Sequence, residues 1–211
     1  MNAANTSQSC VFVVEDDPSM REALKNLLLS VGLEAALFAS AREFLDAQRP
    51  DVPSCLILDV RLRGQSGLDL QRDLTLANNH IPIIFITAHG DVHTSVRAMK
   101  AGAVEFLTKP FRNQELLDAI QVSLSQDRVR RRREGALVEL RARLESLTSR
   151  ERELFPPVIS GRSNKEVASA MGTSENTVKA HRGNLMRKMQ AASFADLLRM
   201  AADLKVPHTK V

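Results

Sequence analysis

Cys10-Val-Phe-Val-Val-Glu-Asp-Asp17 sets five apolar residues directly ahead of three carboxylates. An apolar run of that length, rich in β-branched valine and without alternation, reads as a parallel strand covered on both faces. The acidic residues at its C-terminal end then fall where an open parallel sheet gathers its ligands. Residues 34–38, 54–58, 81–86 and 104–107 form further runs of the same kind. Between them lie segments with apolar residues at helical spacing, such as Leu24, Leu27, Leu28 and Val31, or Leu116, Leu117, Ile120 and Leu124. Ser40-Ala-Arg-Glu43 reads as a capping box that opens the second helix ahead of Phe44 and Leu45. This alternation predicts an α/β domain over residues 1–124, a doubly wound five-stranded parallel sheet.

A chain of 211 residues has room for two modest cores, since domains commonly run to about 100–150 residues. Its 44% hydrophobic and 26% charged residues suit a globular protein, and no long apolar run or small-residue cleavage site stands near the N-terminus. A cytoplasmic location without a membrane partner is expected, with residues 1–9 as a polar tail. Cys10 and Cys55 fall inside apolar runs, which predicts buried reduced thiols rather than a disulfide. The net charge of +4 hides an asymmetry. Residues 1–125 hold 11 Lys+Arg against 15 Asp+Glu, a formal −4, and residues 126–211 hold 18 against 10, a formal +8. An acidic front and a basic rear point to a rear module that meets a polyanion.

After Ser125 the strand pattern stops. Five arginines occupy six positions from Arg128 to Arg133, and Leu137, Leu140, Leu144 and Leu147 follow at spacings of three, four and three. Residues 125–146 therefore read as a helical linker, either an ordinary amphipathic helix or one that pairs with its twin when something else holds a dimer. Residues 147–211 read as short helices of an all-α domain. Thr148-x-x-Glu151 and Ser163-x-x-Glu166 are capping boxes, Ser174 caps a further helix, and Gly161 and Gly172 supply the stops. Pro156 and Pro157 stand about two turns past the Thr148 cap, so the first of these helices is expected to kink or end near Phe155.

The strand ends carry the chemistry. Glu15, Asp16 and Asp17 follow the first strand, Asp59 the third, Thr87 the fourth and Lys109 the fifth. Any one of these alone is commonplace, and Asp17 before Pro18 suits a helix cap. Together, converging carboxylates repel one another unless a divalent cation neutralises them, and hard oxygen ligands with room for water suit magnesium (or manganese).

In the rear, a helix over residues 163–171, the turn Gly172-Thr-Ser174 and a helix over residues 175–189 stand in helix-turn-helix order. At 100° per residue, Val178, Leu185 and Met189 share one face of the last helix. Asn176, Ala180, Gly183 and Arg187 lie opposite, flanked by Lys179, Arg182, Asn184 and Lys188. The second set is polar or very small, so the helix backbone can approach a groove closely while its flanks reach bases or phosphates. A merely solvated helix face favours the same cations.

These residues resemble a known family. Val14-Glu-Asp-Asp17, Leu58-Asp-Val60 with Gly67 eight positions after Asp59, Ile86-Thr-Ala88 and Phe106-Leu-Thr-Lys-Pro110 are similar to the flavodoxin-like receiver domains of two-component response regulators. Leu147-Thr-Ser-Arg-Glu151, Asn164-Lys-Glu-Val-Ala168 and Asn176-Thr-Val-Lys-Ala-His-Arg182 resemble the LuxR-type output domain, and the whole chain is similar to FixJ/NarL regulators. The resemblance implies that Asp59 is the phosphoacceptor, that Glu15, Asp16, Asp59 and the Arg61 carbonyl bind magnesium, and that Lys109 and Thr87 contact the phosphoryl oxygens. Phe106 would be the switching aromatic. Lys165 and Thr177 would touch DNA phosphates, with Lys179 among the groove residues. The partners implied are a sensor histidine kinase, double-stranded promoter DNA, RNA polymerase and, on phosphorylation, a second copy of the chain. The family often has Met-Pro where this chain has Leu62-Arg63; the loss of proline loosens the loop after Asp59.

Two rivals fare worse. A phosphatase using a strand-end aspartate needs a second acid two residues later, where Arg61 stands. A small-molecule sensor of the LuxR kind has a different order of strands and helices in front, and usually aromatic ligand contacts, whereas this chain has no Trp or Tyr. His89 and His93 straddle a loop and a helix start, and make no convincing transition-metal site.

Overall fold

Alternation along the strands sorts the core into two layers. The computed structural model describes residues 9–88 and 90–207; of the tail expected over residues 1–9, residues 1–8 lie outside the described residues, as does His89 of the histidine pair, while Ser9 is buried rather than part of a loose tail. Strands β1 (Cys10–Val14), β2 (Glu34–Phe38), β3 (Ser54–Asp59), β4 (Ile83–Thr87) and β5 (Glu105–Thr108) form one sheet, all parallel, in the order β2-β1-β3-β4-β5. Val11, Val13, Cys55, Ile57, Ile84 and Ile86 pack with Leu24 and Leu28 of α1 (Pro18–Ser30) and with Leu116, Ile120 and Leu124 of α5 (Asn113–Glu145). Phe12, Val14, Leu56, Leu58 and Phe85 face the other way, onto Phe44 of α2 (Ala41–Asp46), Leu70 and Leu74 of α3 (Gly67–Leu76) and Ala98 of α4 (Val92–Lys100). Each large apolar side chain fully buried in these layers contributes about 1.5–3 kcal/mol. Cys10 and Cys55 are free, buried and in opposite layers, so no disulfide can join them.

The doubly wound sheet is therefore as expected. Its strand order reverses between β1 and β3, which opens a crevice at their C-terminal ends. The fourth run was expected at residues 81–86, but β4 begins at Ile83, because Pro82 has no N–H for the ladder. The fifth, expected at residues 104–107, is shifted to Glu105–Thr108. Asp59 and Thr87 are the last residues of β3 and β4 rather than the start of loops. At α2, the Ser40 hydroxyl accepts from the Glu43 N–H, and Glu43 answers on the N–H of Ala39.

The chain divides into two compact units, Met1–Arg131 and Arg132–Val211. The segment expected as a helical linker, residues 125–146, is helical to Glu145 and continuous with the helix before it, in one element, α5, of 33 residues. Asp127 helps to hold it: fully buried, it accepts from the Ser54 N–H at 2.9 Å and from Arg131 Nε at 2.7 Å.

The second unit packs α6 (Ser149–Ile159), α7 (Asn164–Met171), α8 (Glu175–Met189) and α9 (Phe194–Asp203) around Leu154, Phe155, Val167, Val178, Leu185 and Leu197. Leu140, Leu144 and Leu147 join this core. Both capping boxes form as read, at Thr148/Glu151 and Ser163/Glu166, and Gly172 closes α7 with φ 63°. Of the kink or end expected near Phe155, the end does not occur: α6 runs through Pro156 and Pro157 to Ile159. The carbonyls whose ordinary helical donors the prolines remove belong to Arg152 and Glu153, both exposed residues. Val158 and Ile159 are buried beyond the prolines and hold the last turn in the core. Among the described residues no helix is long and apolar enough to cross a membrane.

Candidate functional site

The crevice at β1 and β3 collects the acidic residues. Glu15 follows β1 fully buried, with its carbonyl held by Arg21 Nη1 at 2.5 Å. Asp17 turns away to cap α1, accepting from the N–H groups of Ser19 and Met20 at 2.7 and 3.0 Å, and so leaves the pocket as the cap reading expects. Carboxylate oxygens of Glu15, Asp16 and Asp59 all lie within 4.8 Å of one another. Lys109, just beyond β5, sends Nζ between two of them, 2.6 Å from Glu15 Oε2 and 2.8 Å from Asp59 Oδ2. The other Asp59 oxygen, Oδ1, accepts from the Arg61 N–H at 2.9 Å.

Burial pushes the Glu15 carboxyl above its ordinary pKa; the Lys109 hydrogen bond opposes this and the charge of Asp59 adds to it. For Lys109, burial works against the ammonium, but hydrogen bonds to Asp59 and Glu15 outweigh it and raise the pKa. One lysine against three carboxylates leaves an excess of negative charge and hard oxygen donors, which is the chemistry a small divalent cation fits.

Thr87 is fully buried at the end of β4, and its carbonyl accepts from the Lys109 N–H at 2.7 Å. Phe106 is half-buried on β5, its ring centroid 6.2 Å from that of Phe85. Gly67 opens α3 so close to β3 that a Cβ there would lie 2.2 Å from the Asp59 carbonyl oxygen. Only glycine lets the helix approach the acidic strand end that closely.

Sequence reasoning missed Arg63. Its side chain is exposed, yet Nε lies 3.1 Å from Asp16 Oδ2. Read only as a lost proline, the position in fact adds a cation; the available signal was a basic residue in the loop following Asp59.

In the second unit, Val178, Leu185 and Met189 of α8 are buried, as the projection predicts. Asn176, Thr177, Lys179, Ala180, Gly183 and Arg187 are exposed, as is Lys165 in the first turn of α7. Asn184 is half-buried and accepts from Arg187 Nη2 at 3.2 Å. Arg182 and Lys188 are engaged inside the domain. Arg182 Nη1 donates to the Arg162 carbonyl and to Asn164 Oδ1 at 3.2 and 2.9 Å, and Lys188 Nζ lies 2.6 Å from Glu151 Oε2.

Residues 11–121 match the response regulator receiver domain family, and residues 145–201 match the bacterial regulatory proteins of the luxR family. The chain belongs to the two-component response regulators with a LuxR-type DNA-binding domain, and is a transcriptional regulator of that class. Among its relatives, nodulation protein W of Bradyrhizobium diazoefficiens is 53% identical over 201 residues, covering 95% of this chain and 88% of that one. Response regulator protein TodT of Pseudomonas putida is 45% identical over 197 residues, covering 93% and 87%. Of solved structures, response regulator StyR superposes with a TM-score of 0.83 at 47% identity, covering 92% of this chain and 98% of that one. Full-length FixJ from B. japonicum gives 0.57 at 36%, covering 96% and 100%.

Proposed function

We propose that Asp59 accepts a phosphoryl group from a phosphohistidine of a sensor histidine kinase, and that the acyl phosphate controls binding of promoter DNA through α8. The observation that supports this most is Lys109, whose ammonium bridges Asp59 and Glu15 at the strand ends. An Asp59 oxygen attacks the phosphorus, the P–N bond breaks, and its electron pair returns to the imidazole nitrogen of the kinase. Positioning and charge balance carry most of such a transfer. Lys109 follows the charge from carboxylate to phosphoryl oxygen. Glu15, Asp16, Asp59 and the Arg61 carbonyl would hold magnesium (or manganese), which would supply positive charge to offset that of the carboxylates and the phosphoryl group. The Thr87 hydroxyl donates to a phosphoryl oxygen, and the space it vacates lets Phe106 turn inward. Attack by water on the same phosphorus resets the switch; beyond this assistance to its own phosphorylation and dephosphorylation the chain is no enzyme.

In the output domain α8 enters the major groove. Lys165 and Thr177 meet phosphates, and Asn176, Lys179, Ala180, Gly183, Asn184 and Arg187 face the groove. Arg182 and Lys188 add positive charge near the duplex while holding α7 and α6. Phosphorylation joins two copies through α4 and β5, around Val96, Lys100 and Val104. Val92, Val96 and Met99 are exposed apolar residues on α4 and support this face. A pair on adjacent half-sites gains affinity by effective concentration, and in the cytoplasm meets RNA polymerase at the promoter.

Incubation with acetyl phosphate and magnesium should add one phosphoryl group by intact mass, shift sedimentation to a dimer, and tighten binding to a two-half-site operator. A labelled protein that saturates the operator as a monomer would sink the dimer mechanism.

A further inference from the structure

We propose that Arg63 is a built-in competitor for the divalent cation at Asp16. This rests on the reading of Glu15, Asp16 and Asp59 as the metal pocket and adds a residue that tunes it. Lys109 is spent on Glu15 and Asp59, at 2.6 and 2.8 Å, and does not serve Asp16. The cation that does is Arg63, with Nε 3.1 Å from Asp16 Oδ2. The two partners differ in a telling way: the Asp16 side chain is 22% exposed and that of Arg63 is 88% exposed. The carboxylate is therefore fixed in the pocket, while the guanidinium reaches it from solvent and can swing away without unpacking anything.

An incoming cation needs the lone pairs of Asp16 that Arg63 engages, so the two exclude each other or share the carboxylate at a loss to both. An exposed ion pair is worth little, which bounds the effect: displacement of Arg63 lowers magnesium affinity by on the order of threefold. The direction matters more than the size. A loop cation in this position brings the pocket nearer to charge balance when the ion is absent, and moves half-loading to a higher ion concentration without changing the shape of the single-site curve.

The test is magnesium titration of the metal-free full-length protein by isothermal titration calorimetry, with thermal unfolding in EDTA as a second reading. Arg63→Gln should bind magnesium on the order of threefold more tightly, and its melting temperature should rise more on adding the ion than that of the wild type. Arg63→Lys should return toward wild type, because an ammonium still neutralises Asp16. Equal or weaker binding by Arg63→Gln overturns the competitor role. Asp16→Asn separates the two readings: if it binds as tightly as wild type, the metal pocket itself is misassigned, and the role of Arg63 falls with it.

Discussion

Lys188 Nζ lies 2.6 Å from Glu151 Oε2, so the end of α8 is fastened to the capping box that opens α6. Glu151 is buried and serves twice, since its carboxylate also accepts from the Thr148 N–H at 2.9 Å. Lys188→Ala should therefore act first on stability. Stranding a buried carboxylate costs about 3 kcal/mol, and the output-domain transition in thermal unfolding should fall accordingly. Arg187→Ala, on the exposed face, should weaken DNA binding with the melting temperature unchanged.

The same pair gives a pH dependence. The hydrogen bond from Lys188 holds the Glu151 pKa below its ordinary 4.5; burial opposes this and the N-cap bonds of Thr148 assist it. A group depressed in the folded state stabilises above its unfolded value and loses that contribution as pH falls through the folded one. Stability of the output domain should thus decline as the medium is acidified below about pH 4.5. Comparison of wild type with Glu151→Gln by circular dichroism should show the difference between them shrinking over that window. A constant difference would reject the assignment.

Asp59→Asn should abolish stable phosphorylation while leaving the fold intact, because an amide is a poor nucleophile of nearly the same shape. Intact mass after acetyl phosphate treatment checks this, and full labelling of the variant would move the phosphosite elsewhere.

At Gly183 an added Cβ meets nothing within 4 Å. Gly183→Ala should stabilise α8 by about 0.5–1 kcal/mol, as alanine does in a helix interior. Its effect on operator affinity should run the other way if the bare backbone is what approaches the groove. Unchanged or tighter binding, measured by fluorescence anisotropy of labelled operator, would remove Gly183 from the interface.

Much of this was legible in the sequence because period and punctuation are local. The apolar runs gave the strands, and Thr148, Ser163 and Ser174 marked helix starts that form with their partners in place. What stayed hidden was set by tertiary partners. The double proline of α6 does not end the helix because Val158 and Ile159 pin its last turn in the core, a tertiary contact that local punctuation does not show. The burial of Asp127 depends on the Ser54 N–H, 73 positions earlier. For Lys188 and Arg182 the helical projection gave the face correctly but not the reach of a long side chain back onto neighbouring helices. Gly67 entered through the resemblance to receiver domains, and the approach of α3 to the Asp59 carbonyl supplies the physical cause.

The contact between Phe85 and Phe106 has a spectroscopic consequence. With 8 Phe and neither Trp nor Tyr, the chain is nearly dark in the near ultraviolet. An indole introduced as Phe106→Trp would be the sole fluorophore, seated half-buried against the Phe85 ring at the edge of the sheet. Its emission colour and quenching would then test, free of background, whether that one side chain rotates on treatment with acetyl phosphate and magnesium.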